Sequence, residues 1–248
     1  MILDHFTRIG APPEDDRDLS VEALLGQMER AGVESALCSH TAAVRYDAAE
    51  GNARMAALCA NHPRLRPIGV INPTAHLGVA ETIRAAAQAG CVGLRFAPQT
   101  QGWALDSEPF ARALEEAATT GLPIAVELIG PGDATRLLRL TDGLGAPIIL
   151  AAVTYATLGE AIAVMQRAPA LRLEASRLCT PGVVEALVNA VGAERLLWGS
   201  GAPAWEIAPT LQMIQRAEIS AAAKRLILGD NARQLYHLRQ DLQDFYQI

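Results

Sequence analysis

Three observations on this 248-residue sequence predict an α/β architecture, a (β/α)8 (TIM) barrel with an extra C-terminal helix. Short apolar runs of strand length recur eight times. Each is followed by a longer amphipathic segment rich in Ala, Leu and Arg. The runs are spaced by roughly 25–30 residues, the length of one strand–loop–helix–loop unit. Eight such units in a chain of this size read as a closed barrel. The rival, a doubly wound open sheet, ordinarily carries a glycine-rich phosphate loop after an early strand. Here "TRIGAPPEDD" (7–16) fits neither GxGxxG nor a P-loop.

In order, the first strand is expected over 2–8, "ILDHFTR". Period-two alternation puts Asp4, Phe6 and Arg8 on one side and turns His5 outward. Ser20 caps a helix in "VEALLGQMERAGV" that Gly32 ends. Strands follow over 35–41, 66–72 and 91–97. Ser107 and Pro109 open the helix "EPFARALEEAATTG", with Gly121 past its end. Strands over 123–129, 147–153 and 171–177 come next. Thr180-Pro181 opens "GVVEALVNAVG", closed by Gly192, and the eighth strand covers 195–200. The tail "LRQDLQDFYQI" (238–248) reads as one extra amphipathic helix. No linker or low-complexity stretch divides the chain, so residues 1–248 are expected to form one domain.

Composition narrows the function. The formal charge of -6, without a basic stripe, gives no reason to expect nucleic acid. No apolar run approaches the roughly 20 residues that span a bilayer. Acidic sequence begins by Asp4 with no basic stretch before it, so no secretory leader and a cytoplasmic location are expected. The cysteines, Cys38, Cys59, Cys91 and Cys179, form no CxxC pair, so neither a zinc cluster nor a disulfide framework is expected. Of 21 basic residues only Lys224 is lysine, and it falls in a late, peripheral helix. Schiff-base chemistry and lysine carboxylation, which need a primary amine, are set aside.

Active sites of this fold sit at the C-terminal ends of the strands. The polar and aromatic residues near those ends are Asp4, Arg8, Ser39, His40, Asn72, Arg95, Glu127, Thr154, Tyr155, Glu174, Ser176, Arg177, Trp198 and Ser200. His62, His76 and His237 fall in loops or helices without a constellation.

Five stretches resemble, in order, the amidohydrolase superfamily in its amidohydrolase-related branch. "ILDHFTRIG" resembles the first-strand motif I-x-D-x-H-x-H-x-G, and "GCVGLRFAP" the fourth strand. "GLPIAVELIG" resembles G-L-P-V-x-I-H-x-G of the fifth strand, and "GAERLLWGSGAP" the eighth-strand G-x-x-R-x-x-x-G-S-D-x-P. "RLILGDNARQLYHL" resembles the closing helix I-x-x-x-N-A-x-x-L-x-x-L. The resemblance implies a (β/α)8 barrel that activates water, usually on one or two divalent metals, to hydrolyse or decarboxylate small molecules. It also implies oligomerisation. Carried over residue by residue, the first-strand histidines fall on Phe6 and Arg8, and the fifth-strand histidine on Glu127. The sixth-strand histidine falls near Ala151 or Ala152, and the eighth-strand aspartate on Gly201. The strand-4 position that is a carboxylated lysine in some relatives falls on Arg95. Asp4 matches.

These replacements lead to the expectation of no metal and no cofactor. A zinc site needs three or four donors within about 2.3 Å, and Phe, Arg, Ala and Gly supply none. Arg8 and Arg95 have two readings: salt bridges to Asp4, Glu127 or Glu174 that fill the vacated space, or a clamp for a carboxylate or phosphate. Glu127 and His40 are the candidate acid–base groups. The plainer roles are a structural partner for an arginine and a hydrogen-bonded wall residue. Asp4, Phe6, Glu174, Ser200 and Trp198 complete the expected substrate-binding set, and Trp198, Trp205, Phe6 and Tyr155 are expected either to line an apolar pocket or to serve as packing.

One expected function is a metal-independent hydrolase or lyase acting on a small carboxylate- or lactone-type molecule. The metal-free 2-pyrone-4,6-dicarboxylate lactonases of the family are similar, but they keep the strand-8 aspartate that Gly201 replaces here. The alternative is an inactive paralogue serving as a structural or regulatory subunit. A metal hydrolase with rewired ligands (Asp4, His40, Glu127, Glu174) is a third reading. The expected partners are a small anionic or carbonyl-containing molecule and other chains, as a homo-oligomer or as a hetero-oligomer with a paralogue.

Overall fold

A computed structural model describes residues 1–12, 14–75 and 78–238. Eight parallel strands follow one another in sequence order: β1 (Leu3–Ile9), β2 (Ser35–His40), β3 (Leu65–Ile71), β4 (Gly93–Phe96), β5 (Ile124–Glu127), β6 (Ile148–Ala151), β7 (Arg172–Glu174) and β8 (Leu196–Leu197). Beyond β8 the chain runs alongside β1. His5 N donates to Trp198 O at 2.9 Å, Gly201 N to Phe6 O at 2.8 Å, and Arg8 N to Ala202 O at 2.9 Å. These bonds close the ring into a (β/α)8 barrel. All but the first residue of the expected tail helix, and His76, lie outside the described residues.

Both faces of these strands are buried, which is why they read as continuous apolar runs. One set of side chains fills the barrel: Leu3, Leu37, Ile68, Ala125, Ile149 and Leu197, plugged by Ala232 of the helix Asn231–Leu235 and by Tyr236 just after it. The alternate set, including Cys38, Leu94, Phe96, Val126, Leu150, Leu173 and Trp198, packs outward against the helices. Each large aliphatic buried this way contributes about 1.5–3 kcal/mol.

Helix ends follow the sequence signals where a side chain can reach. Ser20 Oγ accepts from Ala23 N at 3.1 Å, and Gly32 ends that helix in the left-handed region at φ 67°. Ser107 precedes its helix without making a capping bond. The helix after Thr180-Pro181 begins at Val183.

One irregularity reaches the site. The β1–β2 register runs Asp4↔Ala36 and then Thr7↔Cys38, so three steps on β1 match two on β2. This bulge breaks the period-two alternation expected of the first strand. His5, expected to face outward, instead points into the barrel, where its ring meets Glu174 and Tyr236. Asp4 leaves the side it was expected to share with Phe6 and Arg8. It accepts from Phe6 N at 3.1 Å, from Ser200 N at 3.0 Å and from the Ser200 hydroxyl.

Candidate active site at the barrel mouth

A chain of buried charge climbs the barrel interior. At its base the Tyr236 hydroxyl lies 2.8 Å from His5 Nε2, and His5 Nδ1 lies 3.1 Å from Glu174 Oε2. Glu174, on β7, also accepts from Arg95 Nη1 at 2.8 Å, from Arg95 Nη2 at 3.3 Å and from Ser176 Oγ at 2.6 Å. Arg95, on β4, turns its Nε to Glu127 Oε1 at 2.9 Å, and the same oxygen accepts from Arg8 Nη2 at 3.0 Å. The Phe6 ring lies 3.8 Å from the Arg95 guanidinium and 5.3 Å from that of Arg8, a geometry that favours a cation over the ring face.

Two arginines and two glutamates therefore meet as one network, as buried charge requires. Burial pushes the Glu174 carboxyl up, but Arg95 and His5 hold it well below the usual range. Burial likewise opposes ionisation of Glu127, and Arg95 and Arg8 outweigh it, so this carboxyl also stays ionised. Arg95 is raised, because its two glutamates overcome burial. Arg8 is lowered by burial and by Arg95, against the pull of Glu127.

The two arginines differ in what they leave over. All three nitrogens of Arg95 are bonded to carboxylates. Arg8 is held only through Nη2, and its buried Nε has no partner among the described residues. Glu127 takes both of its bonds on Oε1, and Oε2 accepts none among the described residues.

Above this network a cavity of about 200 Å3 opens at the C-terminal end of the barrel. Phe6, Arg8, Arg95 and Glu127 form its floor, and Leu19, Val44, Thr100, Ala152, Arg177 and Trp205 stand among its walls. Two further arginines at the rim are neutralised, Arg17 by Asp15 at 2.6 Å and Arg45 by Glu14 at 2.7 Å. Arg177 is exposed, has its guanidinium 5.2 Å from the Trp205 ring, and meets no carboxylate among the described residues. The mouth thus carries a surplus of positive charge at Arg177.

Several expected site residues lie elsewhere. Trp198 points outward and spends its indole N–H on Thr210 Oγ1 at 3.2 Å, so it is core rather than pocket wall. The hydroxyl of Ser200 is occupied by Asp4 and by Ala202 N at 2.9 Å. Asp4 is fully buried at the β1–β8 seam, and burial pushes its carboxyl up to about 7 despite its hydrogen bonds. His40 caps the helix Thr41–Arg45, its Nδ1 accepting from Ala42 N at 3.1 Å, and its ring packs beside Gly10. It does not line the cavity, and burial, with Arg54, lowers its pKa. Glu174 lies beneath the floor and holds Arg95. Arg177, His5 and Tyr236 were missing from the expected substrate-binding set, whereas Trp205, expected as a possible pocket wall, does line the cavity. Arg177 and Trp205 come from different loops, and only the strand-end position of Arg177 hinted at its role.

The profile of the amidohydrolase family matches residues 2–238. The chain belongs to the amidohydrolase family. A search of curated protein sequences returned no match. Among solved structures, this amidohydrolase barrel is similar to the 5-carboxyvanillate decarboxylase of Sphingomonas paucimobilis, at 19% identity and a TM-score of 0.77, covering 96% of this chain and 99% of that one. It is also similar to 2,6-dihydroxybenzoate decarboxylase from Rhizobium, at 16% identity and TM-score 0.76, covering 96% and 98%. A third is a probable 2-pyrone-4,6-dicarboxylic acid hydrolase from Acinetobacter baumannii, solved with citric acid bound, at 13% identity and TM-score 0.72, covering 95% and 99%. At these identities the likeness is one of fold.

The donor set can be tested against the metals the family usually holds. Among the described residues no three His, Cys, Asp or Glu side chains converge as metal ligands. At the positions carried over, the oxygen donors are Glu127, which two guanidinium groups already bond, and Asp4, which is spent at the β1–β8 seam on Phe6 N and Ser200. At Gly201 the backbone is left-handed, φ 77°, and the Trp205 ring fills the space a Cβ would need. An aspartate has no room there. These residues do not fit a divalent ion, which would lie beside two fixed cations with one shared ligand.

Proposed function

We propose that this protein is a metal-independent hydrolase or lyase acting on a small carboxylate- or lactone-type molecule at the barrel mouth. The observation that carries the reading is the unfinished Arg8–Glu127 pair. Among the described residues Arg8 is bonded through Nη2 alone and Glu127 through Oε1 alone, and both side chains lie at the floor of one cavity. Arg8 is suited to grip a carboxylate, or a carbonyl oxygen as it gains charge. Glu127, kept ionised by its arginines, is suited to take a proton from water. For a lactone, that water adds to the carbonyl carbon, the ring C–O bond breaks, and the proton passes to the leaving oxygen. Arg95, fully bonded, positions Glu127. The names of the similar solved proteins, two aromatic carboxylate decarboxylases and a pyrone dicarboxylate hydrolase, support the substrate class.

The test pairs elemental analysis with ligand binding. Protein from medium supplemented with zinc, manganese and iron is expected to hold less than about a tenth of an equivalent of metal. Small carboxylates are expected to raise its melting temperature, and Arg8→Gln to abolish that rise. Metal near one equivalent per chain would overturn the reading. A second reading, an inactive paralogue in a hetero-oligomer, draws on the mutual neutralisation of Arg8, Arg95, Glu127 and Glu174. It takes over if no carboxylate binds and one partner chain co-purifies in fixed ratio.

A further inference from the structure

The mouth cavity has a neighbour. A second hollow of about 460 Å3 lies on the far side of Trp205, lined by Cys179, Pro209 and Thr210 among others. Trp205 and Arg177 line both hollows, so the indole is the partition between them. Trp205 is 45% exposed although its ring rests on Gly201, an unusual amount of open apolar surface for an indole beside a polar site. The two hollows differ in chemistry. The first has the Arg8–Glu127 pair at its floor. The second has Arg177 at its junction with the first, Glu206, Ser176 and Ser200 at its wall, and the apolar surfaces of Pro209, Thr210 and the Cys179 side chain beyond.

We infer that the binding site continues past Trp205 into the second hollow, and that its ligand is an amphipathic anion. The carboxylate lies at Arg8, the middle of the molecule passes the exposed edge of the Trp205 ring beside Arg177, and an apolar tail reaches toward Cys179 and Pro209. This rests on the carboxylate reading of the mouth and adds a tail to the substrate. The first cavity alone holds only a small acid. Joined to the second, it offers an apolar surface that makes tail length a determinant of specificity.

The test is a series of carboxylates with lengthening tails, from acetate through butyrate and hexanoate to 4-phenylbutyrate, titrated against intrinsic fluorescence. Of the three tryptophans, Trp103 and Trp198 are buried, so quenching reports on Trp205. Affinity is expected to rise roughly fourfold per methylene that enters the hollow. Long-tailed acids are expected to protect exposed Cys179 from alkylation by iodoacetamide, while acetate does not. In Cys179→Phe, which fills the hollow, the ratio of long-tail to short-tail affinity collapses toward one. Affinity that is flat with tail length, while acetate binding still depends on Arg8, overturns this inference and leaves the carboxylate reading standing. Absence of any carboxylate binding overturns both.

Discussion

Replacing Glu174 with glutamine tests the buried network most directly. Glu174 is fully buried and accepts two bonds from Arg95, one from Ser176 and one with His5. Glutamine keeps the shape but removes the charge and turns one acceptor into a donor. Placed at Oε2, the amide NH2 meets Arg95 Nη1; placed at Oε1, it meets Arg95 Nη2. Either way a donor faces a donor, and Arg95, only 2% exposed, must share the single carboxylate of Glu127 with Arg8. Breaking one side of a buried pair costs about 3–5 kcal/mol. For a chain of this size each kcal/mol moves the melting temperature by about 2–4 °C, so a fall on the order of 6–20 °C is expected. Thermal melts by circular dichroism measure it, with Glu108→Gln as the control. Glu108 pairs with Arg112 in full solvent, and its loss is expected to leave the melt unchanged. The double change Glu174→Leu with Arg95→Met, which removes both charges, is expected to recover most of the loss. A Glu174→Gln melt within about 2 °C of wild type would refute the argument, because Arg95 would then not depend on Glu174.

Three further outcomes are expected. Folded Asp4 keeps its proton up to about pH 7, whereas unfolded aspartate releases it near 4, so stability falls as pH rises through that window. Glu127 and Glu174, whose values are lowered, act in the opposite sense and only below about 4.5. His40, also lowered, opposes Asp4 within the window, so urea titrations between pH 5 and 8 must compare wild type with Asp4→Asn, which share the His40 contribution. Asp4→Asn is expected to flatten that slope, and an unchanged slope refutes the assignment. Gly201→Asp restores the family's aspartate in sequence, yet it must adopt a left-handed backbone and displace Trp205. A lower melting temperature with no retained metal by elemental analysis is expected; one bound equivalent would contradict the donor-set argument. Tyr236→Phe leaves His5 Nε2 without its partner and is expected to cost about 1 kcal/mol by urea denaturation. No change would mean that the hydroxyl contributes nothing to closing the barrel.

The strands were legible because both faces of each are buried, so local composition alone marks them. Glycine and serine signals worked where the geometry is local, as at Ser20 and Gly32. Side-chain direction was less legible. The His5 bulge depends on pairing with β2, some thirty residues away in sequence. Period two carried through it gave the wrong face for His5 and grouped Asp4 with Phe6 and Arg8. Trp198 follows Leu196 and Leu197, and in an all-apolar run the alternation carries no phase. The four charges that meet at the floor were each visible at a strand end. Whether they paired internally depends on distances across the barrel, and all four do: Arg95 is bonded through all three nitrogens and Arg8 through Nη2. Trp205 and Arg177 come from different loops, and nothing local announces their contact.

The bond between His5 and Tyr236 joins positions 231 residues apart, and the one between Asp4 and Ser200 joins positions 196 apart. Contacts this distant in sequence are the slowest to form, because chain entropy is lost before they are made. During synthesis from the N-terminus, the first strand emerges with a histidine and an aspartate whose partners have not yet been translated. Until Tyr236 arrives, His5 faces an unplugged barrel and Glu174 holds Arg95 from below without its own support. A product cut short before that tyrosine would carry every residue of the mouth and still lack the keystone beneath it. The base of the barrel thus ties the first strand to a residue near the far end of the described chain.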